Sequence, residues 1–330
     1  MSLTDEGILK VPGLLSRYVR LSTGVKVHYS TAGEDGPSVV LLHGGIPGSS
    51  GTAGFRLMAP FLGAQGFRVY APDFPGFGLT EDPGNFYGYG QGAHVDFLQD
   101  FVNAVGLDTF HLAGNSMGCN NTVQYVIAHP ERVTSFALIA GNVGDLVPRT
   151  EIDKLPKLVP DFSMPRFDGT EESMRASMVA VMHRKEAVDD DVVAMRTRAA
   201  NNQPFYEENM ARYQAAIRGT MGPDEAVRLR TKDRLNQITI PGIYLFGRQD
   251  VLIPVEGGYM QEDALPNIQF FYPDECGHQG QTDRPEVFNQ TFLEFFRDGK
   301  VSWETAQAAG VSERRAPNPK LVGEPEFATP

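Results

Sequence analysis

Cysteine and tryptophan are scarce in this 330-residue chain, two of the first and one of the second, and basic runs are missing. Nothing approaches the roughly 18 consecutive apolar residues of a membrane-spanning helix. Cys119 and Cys276 are too far apart in sequence to form a metal-ligand or redox spacing, so each reads as a small packing residue in a protein of a reducing compartment. With 29 Lys and Arg against 41 Asp and Glu, the formal charge is -12, and no segment is equipped to neutralise a phosphate backbone or an anionic membrane. Nucleic acid and membrane are therefore excluded as expected partners, and a small-molecule substrate is favoured. The opening MSLTDEGILKVPG is acidic and has no apolar signal core, which gives the expectation of a soluble, cytoplasmic protein. A 41% hydrophobic content is enough for one large core, or a core carrying an insertion.

Against that background one stretch stands out, TFHLAGNSMGCNNTV at residues 109–123. A short apolar run leads into Gly114-Asn115-Ser116-Met117-Gly118, and a helix-compatible segment follows. A strand-to-helix turn this tight forces its central residue into strained backbone angles and leaves no room for neighbouring side chains, hence the two glycines. The serine hydroxyl is lifted clear of the sheet. Serine is a weak nucleophile until a base takes its proton, so a histidine, an acid behind it and donors for an oxyanion are required as well.

The rest of the chain supplies them in order. Residues 15–32 alternate as two paired strands around Thr23-Gly24, and residues 39–42 read as a strand buried on both faces. That strand ends in His43-Gly44-Gly45, a loop able to turn backbone N–H groups inward, which makes Gly45 and Met117 the candidate oxyanion donors. His43 reads as loop packing and Asp73, ahead of a proline- and glycine-dense loop, as a turn stabiliser. Residues 53–65 and 87–105 are expected helices, and residues 67–71, 110–113 and 133–139 expected strands. The alternation argues a mostly parallel sheet with helices on both faces and a site at its carboxyl ends. From 145 to 237 it stops, with helical segments expected at 172–184, 189–201 and 205–217. Their stripe Met174, Met178, Val181, Met182 reads as packing of a helical lid. Strands return at 238–246, followed by Asp250 as the triad acid, and at 268–272, followed by His278 as the base. The chain order Ser116, Asp250, His278 is that of a nucleophile-elbow hydrolase. A closing helix is expected at 285–296. The domain layout is then 1–144 and 238–298 as two parts of one core, 145–237 as the lid, and 299–330 as a tail with a short helix near Trp303, otherwise loosely held. His28, His94, His111, His129 and His183 are given no catalytic setting.

Over roughly residues 15–297 the chain resembles the α/β-hydrolase superfamily, and within it the meta-cleavage product hydrolases, which break carbon–carbon bonds in ring-fission products of aromatic compounds. The resemblance rests on HGGIPG at 43–48, DFPGFG at 73–78, GNSMG at 114–118 and the GHxxQxxxPExFN-like run at 277–289. It implies the α/β-hydrolase fold, no cofactor and no metal, an oxyanion amide from the first motif, and a substrate site to which Gly44, Asn115, Arg196 and Gln279 contribute. Asn115 would help hold the dienoate end and Arg196, on the lid, its carboxylate. The sequence departs from the family at Gln279, where many members carry Trp, at Gly54, where many carry Asn, and at Ile46, in place of a third glycine. The expected reaction is hydrolysis of a 2-hydroxy-6-oxo-hexa-2,4-dienoate type compound. A carboxylesterase or lactonase on the same triad is the alternative, and a ligand receptor with a moving lid the third reading. Oligomeric state is left open, a homo-oligomer included.

Overall fold

The computed structural model describes residues 2–82, 85–88, 90–203 and 206–324. Eight strands form one sheet: β1 Leu15–Arg20, β2 Lys26–Ala32, β3 Ser38–Leu42, β4 Arg68–Pro72, β5 Phe110–Asn115, β6 Val133–Ile139, β7 Gly242–Leu245 and β8 Ile268–Phe271. Their spatial order is β1-β2-β4-β3-β5-β6-β7-β8. β1 and β2 are antiparallel, as are β2 and β4, and the remaining pairs are parallel.

Strand residues alternate between two apolar layers. Val40, Leu42, Leu112, Phe136, Leu138, Tyr244 and Phe270 pack on one face, under helices Gln91–Ala104 and Met117–Ala128. Val39, Leu41, Ala113, Ala137, Ile139, Ile243 and Leu245 pack on the other, with helix Pro285–Asp298. Both faces are dry, which is why these strands read as unbroken apolar runs.

Register fixes the working rim. Leu42 lies beside Gly114, Asn115 beside Ile139, Ile139 beside Leu245 and Leu245 beside Phe271. The carboxyl ends of β3, β5, β6, β7 and β8 are therefore level. After β3 the chain winds to β4 on one side and then returns past it to β5 on the other. Between β3 and β5 lies the topological switch point at which open α/β sheets place their ligands.

Several expected elements differ in extent. The strand expected at 238–246 begins only at Gly242, because Pro241 has no N–H for a ladder and residues 235–237 close a short 3-10 turn. The helix expected at 53–65 divides into Gly51–Phe55 and Ala59–Ala64, with Pro60 in the first turn of the second. Helix Val255–Ala264 was hidden by Gly257 and Gly258; a Cβ on Gly258 would stand 2.9 Å from Phe246 Cγ, so glycine lets this helix sit close to the sheet. Between β6 and β7 the described residues form helices and loops only, among them Glu171–Val181, Asp190–Asn201 and Tyr206–Ile217. Phe205, expected to start the last of these, lies outside the described residues. Met174, Met178, Val181 and Met182 are buried with Val192, Val193, Met195 and Leu9, so this stripe packs the insertion, as expected.

The tail is a correction. Residues 299–324 are not loosely held: Val301, Ala306, Ala309, Leu321 and Val322 are buried in the same layer as helix Pro285–Asp298. Val311 bridges to Phe271 of β8, and Arg315 donates to the carbonyls of Glu262 and Leu265 at 3.1 and 3.0 Å. The segment covers the β8 side of the sheet, an edge that would otherwise stay open. Residues 325–330 of the expected tail lie outside the described residues.

Candidate active site

The turn after β5 has the geometry its glycines imply. Ser116 sits at φ 56° and ψ -113°, a region that side-chain-bearing residues rarely occupy, and helix Met117–Ala128 starts directly behind it. A Cβ on Gly114 would lie 2.1 Å from the Gly118 carbonyl oxygen, and one on Gly118 would lie 2.0 Å from that of Leu42. Each glycine is thus a point where two backbones touch.

His278 and Asp250 arrive from the loops after β8 and β7. Asp250 is buried; its Oδ2 receives His278 Nδ1 at 2.7 Å, while its Oδ1 accepts the amides of Leu252 and Ile253 at 2.8 and 3.1 Å. Those contacts fix the carboxylate and orient the imidazole, leaving Nε2 unengaged. Nε2 is buried and, among the described residues, has no hydrogen-bond partner. Ser116 and His278 share the wall of one cavity of about 320 Å³. No hydrogen bond joins Ser116 Oγ to Nε2, although both residues line this cavity. The amides of Gly45 and Met117 also face no protein acceptor among the described residues, and both residues line the same cavity. A strained hydroxyl, an oriented unpartnered imidazole and two free amides in one cavity can perform acyl transfer.

The remaining expected residues stand one layer back. Gly44, Asn115, Arg196 and Gln279 are outside the cavity wall. Asn115 Nδ2 donates to the His278 carbonyl at 2.9 Å and so holds the main chain of the histidine loop. Gly44 leaves space for it: a Cβ there would meet Asn115 Oδ1 at 3.4 Å. Gln279 is buried, its carbonyl accepting the Thr282 and Asp283 amides. Arg196 is almost fully buried, with Nη2 on the Pro47 carbonyl at 3.2 Å and on Ser49 Oγ at 3.0 Å, while Nε is without a partner. Burial, with the Arg56 charge nearby, lowers this guanidinium to about 10. It stays cationic at neutral pH, and no acidic side chain among the described residues pairs with it.

Much of the wall carried no signal in the sequence. Tyr206, whose hydroxyl donates to the Gly45 carbonyl at 2.9 Å, lines it together with Met210, Tyr213, Met164, Leu252 and Arg149. Tyr206, Met210 and Tyr213 come from helix Tyr206–Ile217, whose pattern shows only amphipathicity, and Met164 and Leu252 come from loops. His43, in agreement with its reading as loop packing, uses both ring nitrogens on backbone, Nδ1 on the Gly44 carbonyl and Nε2 on the Phe74 amide. Asp73 accepts the Gly51 and Leu79 amides at 2.7 and 2.9 Å, which is the turn-stabilising role expected of it.

A second Ser–His–Asp relay is present that the sequence did not suggest. Ser16 Oγ is 2.9 Å from His28 Nε2, and His28 Nδ1 is 2.7 Å from Asp73 Oδ2. Its hydrogen bonds are complete, yet Ser16 lies within the regular edge strand β1, with no strained turn and no adjacent helix start to collect oxyanion donors. What separates Ser116 from Ser16 is the elbow and the free amides, not the presence of three residue types.

A family model described as the alpha/beta hydrolase fold matches residues 37–285. The chain is 29% identical to a 2-hydroxy-6-oxononadienedioate/2-hydroxy-6-oxononatrienedioate hydrolase of Dechloromonas aromatica, over 89% of this chain and 99% of that one. A Pseudomonas putida protein with the same description is 29% identical over 86% and 96%. Among solved structures, a serine hydrolase involved in carbazole degradation superposes with a TM-score of 0.68 at 26% identity, covering 86% of this chain and 98% of that one. The 2-hydroxy-6-oxo-6-phenylhexa-2,4-dienoate hydrolase of Rhodococcus sp. strain RHA1 does so with 0.66 at 25% identity, covering 86% and 99%.

Proposed function

The chain belongs to the alpha/beta hydrolase fold family, and from that premise we propose that it hydrolyses a carbon–carbon bond in a 2-hydroxy-6-oxo-hexa-2,4-dienoate type ring-fission product, with Ser116, His278 and Asp250 as its triad. Carbon is a poor leaving group, so the dienol must first ketonise, which places an electron sink next to the bond to be broken. Ser116 Oγ then attacks the 6-oxo carbon and its proton passes to His278 Nε2, steadied by Asp250. The oxyanion is held by the amides of Gly45 and Met117. Collapse expels the dienoate-derived fragment as a carbanion equivalent that takes the proton from His278, and water, activated by the same imidazole, releases the acid from Ser116. The helical insertion at 145–237 acts as a lid that keeps bulk water from the ketonised intermediate.

The observation that carries the choice of substrate is electrostatic. Arg196 is a buried cation with no acidic partner among the described residues, hydrogen-bonded to Pro47, which is itself part of the cavity wall. An uncompensated buried charge is costly, and the carboxylate of a dienoate offsets that cost. Asn115 supports the same chemistry by fixing the His278 main chain. Purified protein should bleach a yellow dienoate rapidly, and Ser116→Ala should abolish this while retaining the fold. Absence of turnover across several ring-fission products would sink the proposal. One observation favours an ordinary carboxylic ester instead: Arg196 stands behind the wall and not in it. Rates on short aryl esters or lactones exceeding those on dienoates would establish that second reading.

A further inference from the structure

Asp283 has no place in the triad, yet it is fully buried beside it, at the end of the short helix Gly280–Asp283 that follows His278. Its Oδ2 accepts the amide of Gly277, the residue before His278, at 2.7 Å, and the amide of His183 at 3.1 Å. Its Oδ1 accepts the amide of Arg184 at 2.8 Å. His183 and Arg184 follow helix Glu171–Val181 of the insertion, nearly one hundred residues away in sequence. The two segments also bond directly, His278 N–H to the Val181 carbonyl at 3.0 Å, and the Arg184 guanidinium donates to the Asp283 carbonyl at 2.9 Å. They approach so closely that a Cβ on Gly277 would stand 2.9 Å from both His183 N and Val181 O.

Three backbone donors converging on one carboxylate hold both segments by charge-assisted bonds. No neutral side chain of this size offers them as many acceptor sites: in an asparagine, one oxygen becomes an NH₂ that faces an N–H. We propose that Asp283 is a positioning residue that ties the histidine loop to residues 181–184, so that the placement of the His278 imidazole depends on the end of helix Glu171–Val181. The placement of Nε2 relative to Ser116 Oγ then depends on residues 181–184 as well as on Asp250 and Asn115, which hold His278 from the core. This rests on the triad reading above, not on the identity of the substrate.

The test uses the full-length protein and its variants Asp283→Asn and Asp283→Glu. The rate of phosphonylation of Ser116 by a fluorophosphonate reports the triad whatever the natural substrate is. The low-field proton resonance of the His278–Asp250 hydrogen bond reports the placement of the imidazole. A displacement of about 1 Å costs on the order of 100-fold in rate, so Asp283→Asn should lose about 10- to 100-fold in phosphonylation rate, with the resonance shifted or broadened. Asp283→Glu, which keeps the carboxylate, should recover most of that loss. A folded Asp283→Asn with wild-type rate and unchanged resonance overturns the proposal. Should that variant not fold, hydrogen exchange of the wild-type amides at 183, 184, 277 and 278 decides: one shared opening equilibrium supports the tie, and independent openings overturn it. Wild-type protein that is phosphonylated but turns over no dienoate removes only the substrate assignment. Wild-type protein not phosphonylated at Ser116 removes the triad reading and this inference with it.

Discussion

Gly118→Ala tests the elbow at its tightest point. The added Cβ would lie 2.0 Å from the Leu42 carbonyl oxygen, 2.6 Å from its carbon and 2.8 Å from the His43 oxygen. Ordinary contact begins near 3.4 Å, so the end of β3 and the start of helix Met117–Ala128 must separate by some 1.4 Å. Both walls are backbone, and neither can rotate away as a side chain would. One wall leads within three residues to the Gly45 amide and the other begins at the Met117 amide, so the separation opens the pair of donors. Misplacing or losing one oxyanion donor costs on the order of 100- to 1000-fold in kcat, about 2.7–4 kcal/mol of activation free energy. Overpacking should lower folding stability by about 1–3 kcal/mol. KM should change little, because the donors act on charge that develops only in the transition state. Gly54→Ala is the control: its Cβ would meet His43 Cβ at 3.5 Å, an ordinary contact, and kcat should stay within about twofold. Steady-state kinetics on a dienoate or an aryl ester, with denaturant unfolding of both variants, measures all of this. If Gly118→Ala retains kcat within about threefold of wild type while folded, the placement of Gly45 and Met117 as donors is refuted.

Three further outcomes are expected. Arg196→Met should raise KM for a dienoate by roughly 10- to 150-fold, the worth of a charge-assisted bond of about 1.5–3 kcal/mol, with KM for a neutral aryl ester nearly unchanged; equal effects on both would remove Arg196 from carboxylate binding. Burial holds His94 down to about 3 and His111 down to about 4, against an ordinary 6.5. Both stay neutral in the fold and take up a proton on unfolding, so the stability they contribute is complete above pH 6.5 and is lost as pH falls through that window, by up to about 1.4 kcal/mol per pH unit each. His94→Gln should flatten the slope of unfolding free energy between pH 6 and 4 by about that share, and an unchanged slope would contradict the assignment. Leu321→Ala should cost about 2–5 kcal/mol and truncation after Gly299 more, measured by denaturant unfolding; a truncated protein as stable as the full chain would show that the docked tail contributes nothing.

Legibility differed between elements for physical reasons. The turn at Ser116 could be read because its two glycines sit in one short segment: Gly114 is required by the Gly118 carbonyl within the turn, and Gly118 by the Leu42 and His43 carbonyls at the end of β3. The parallel strands could be read because burial on both faces leaves continuous apolar runs. Helix Val255–Ala264 could not, since Gly257 and Gly258 erase its period while serving a close approach to Phe246. The tail misled because its proline-rich, polar composition hides five apolar residues, Val301, Ala306, Ala309, Leu321 and Val322, whose burial against helix Pro285–Asp298 is a tertiary contact. His28 and Asp73, 45 residues apart, meet only once β2 and β4 pair.

By itself the sequence determined the layered, mostly parallel sheet and the tight glycine-flanked turn at Ser116, because continuous apolar runs and paired glycines can be read over a few residues. Tertiary structure alone decided which side chains face the cavity, how the tail closes the β8 edge, and that Asp283 joins the histidine loop to the insertion. The Asp283 and Tyr206 contacts join segments 99 or more residues apart and those of Arg315 span 50 and 53 residues; their partners are selected by the packing of the whole chain and leave no periodic or local trace.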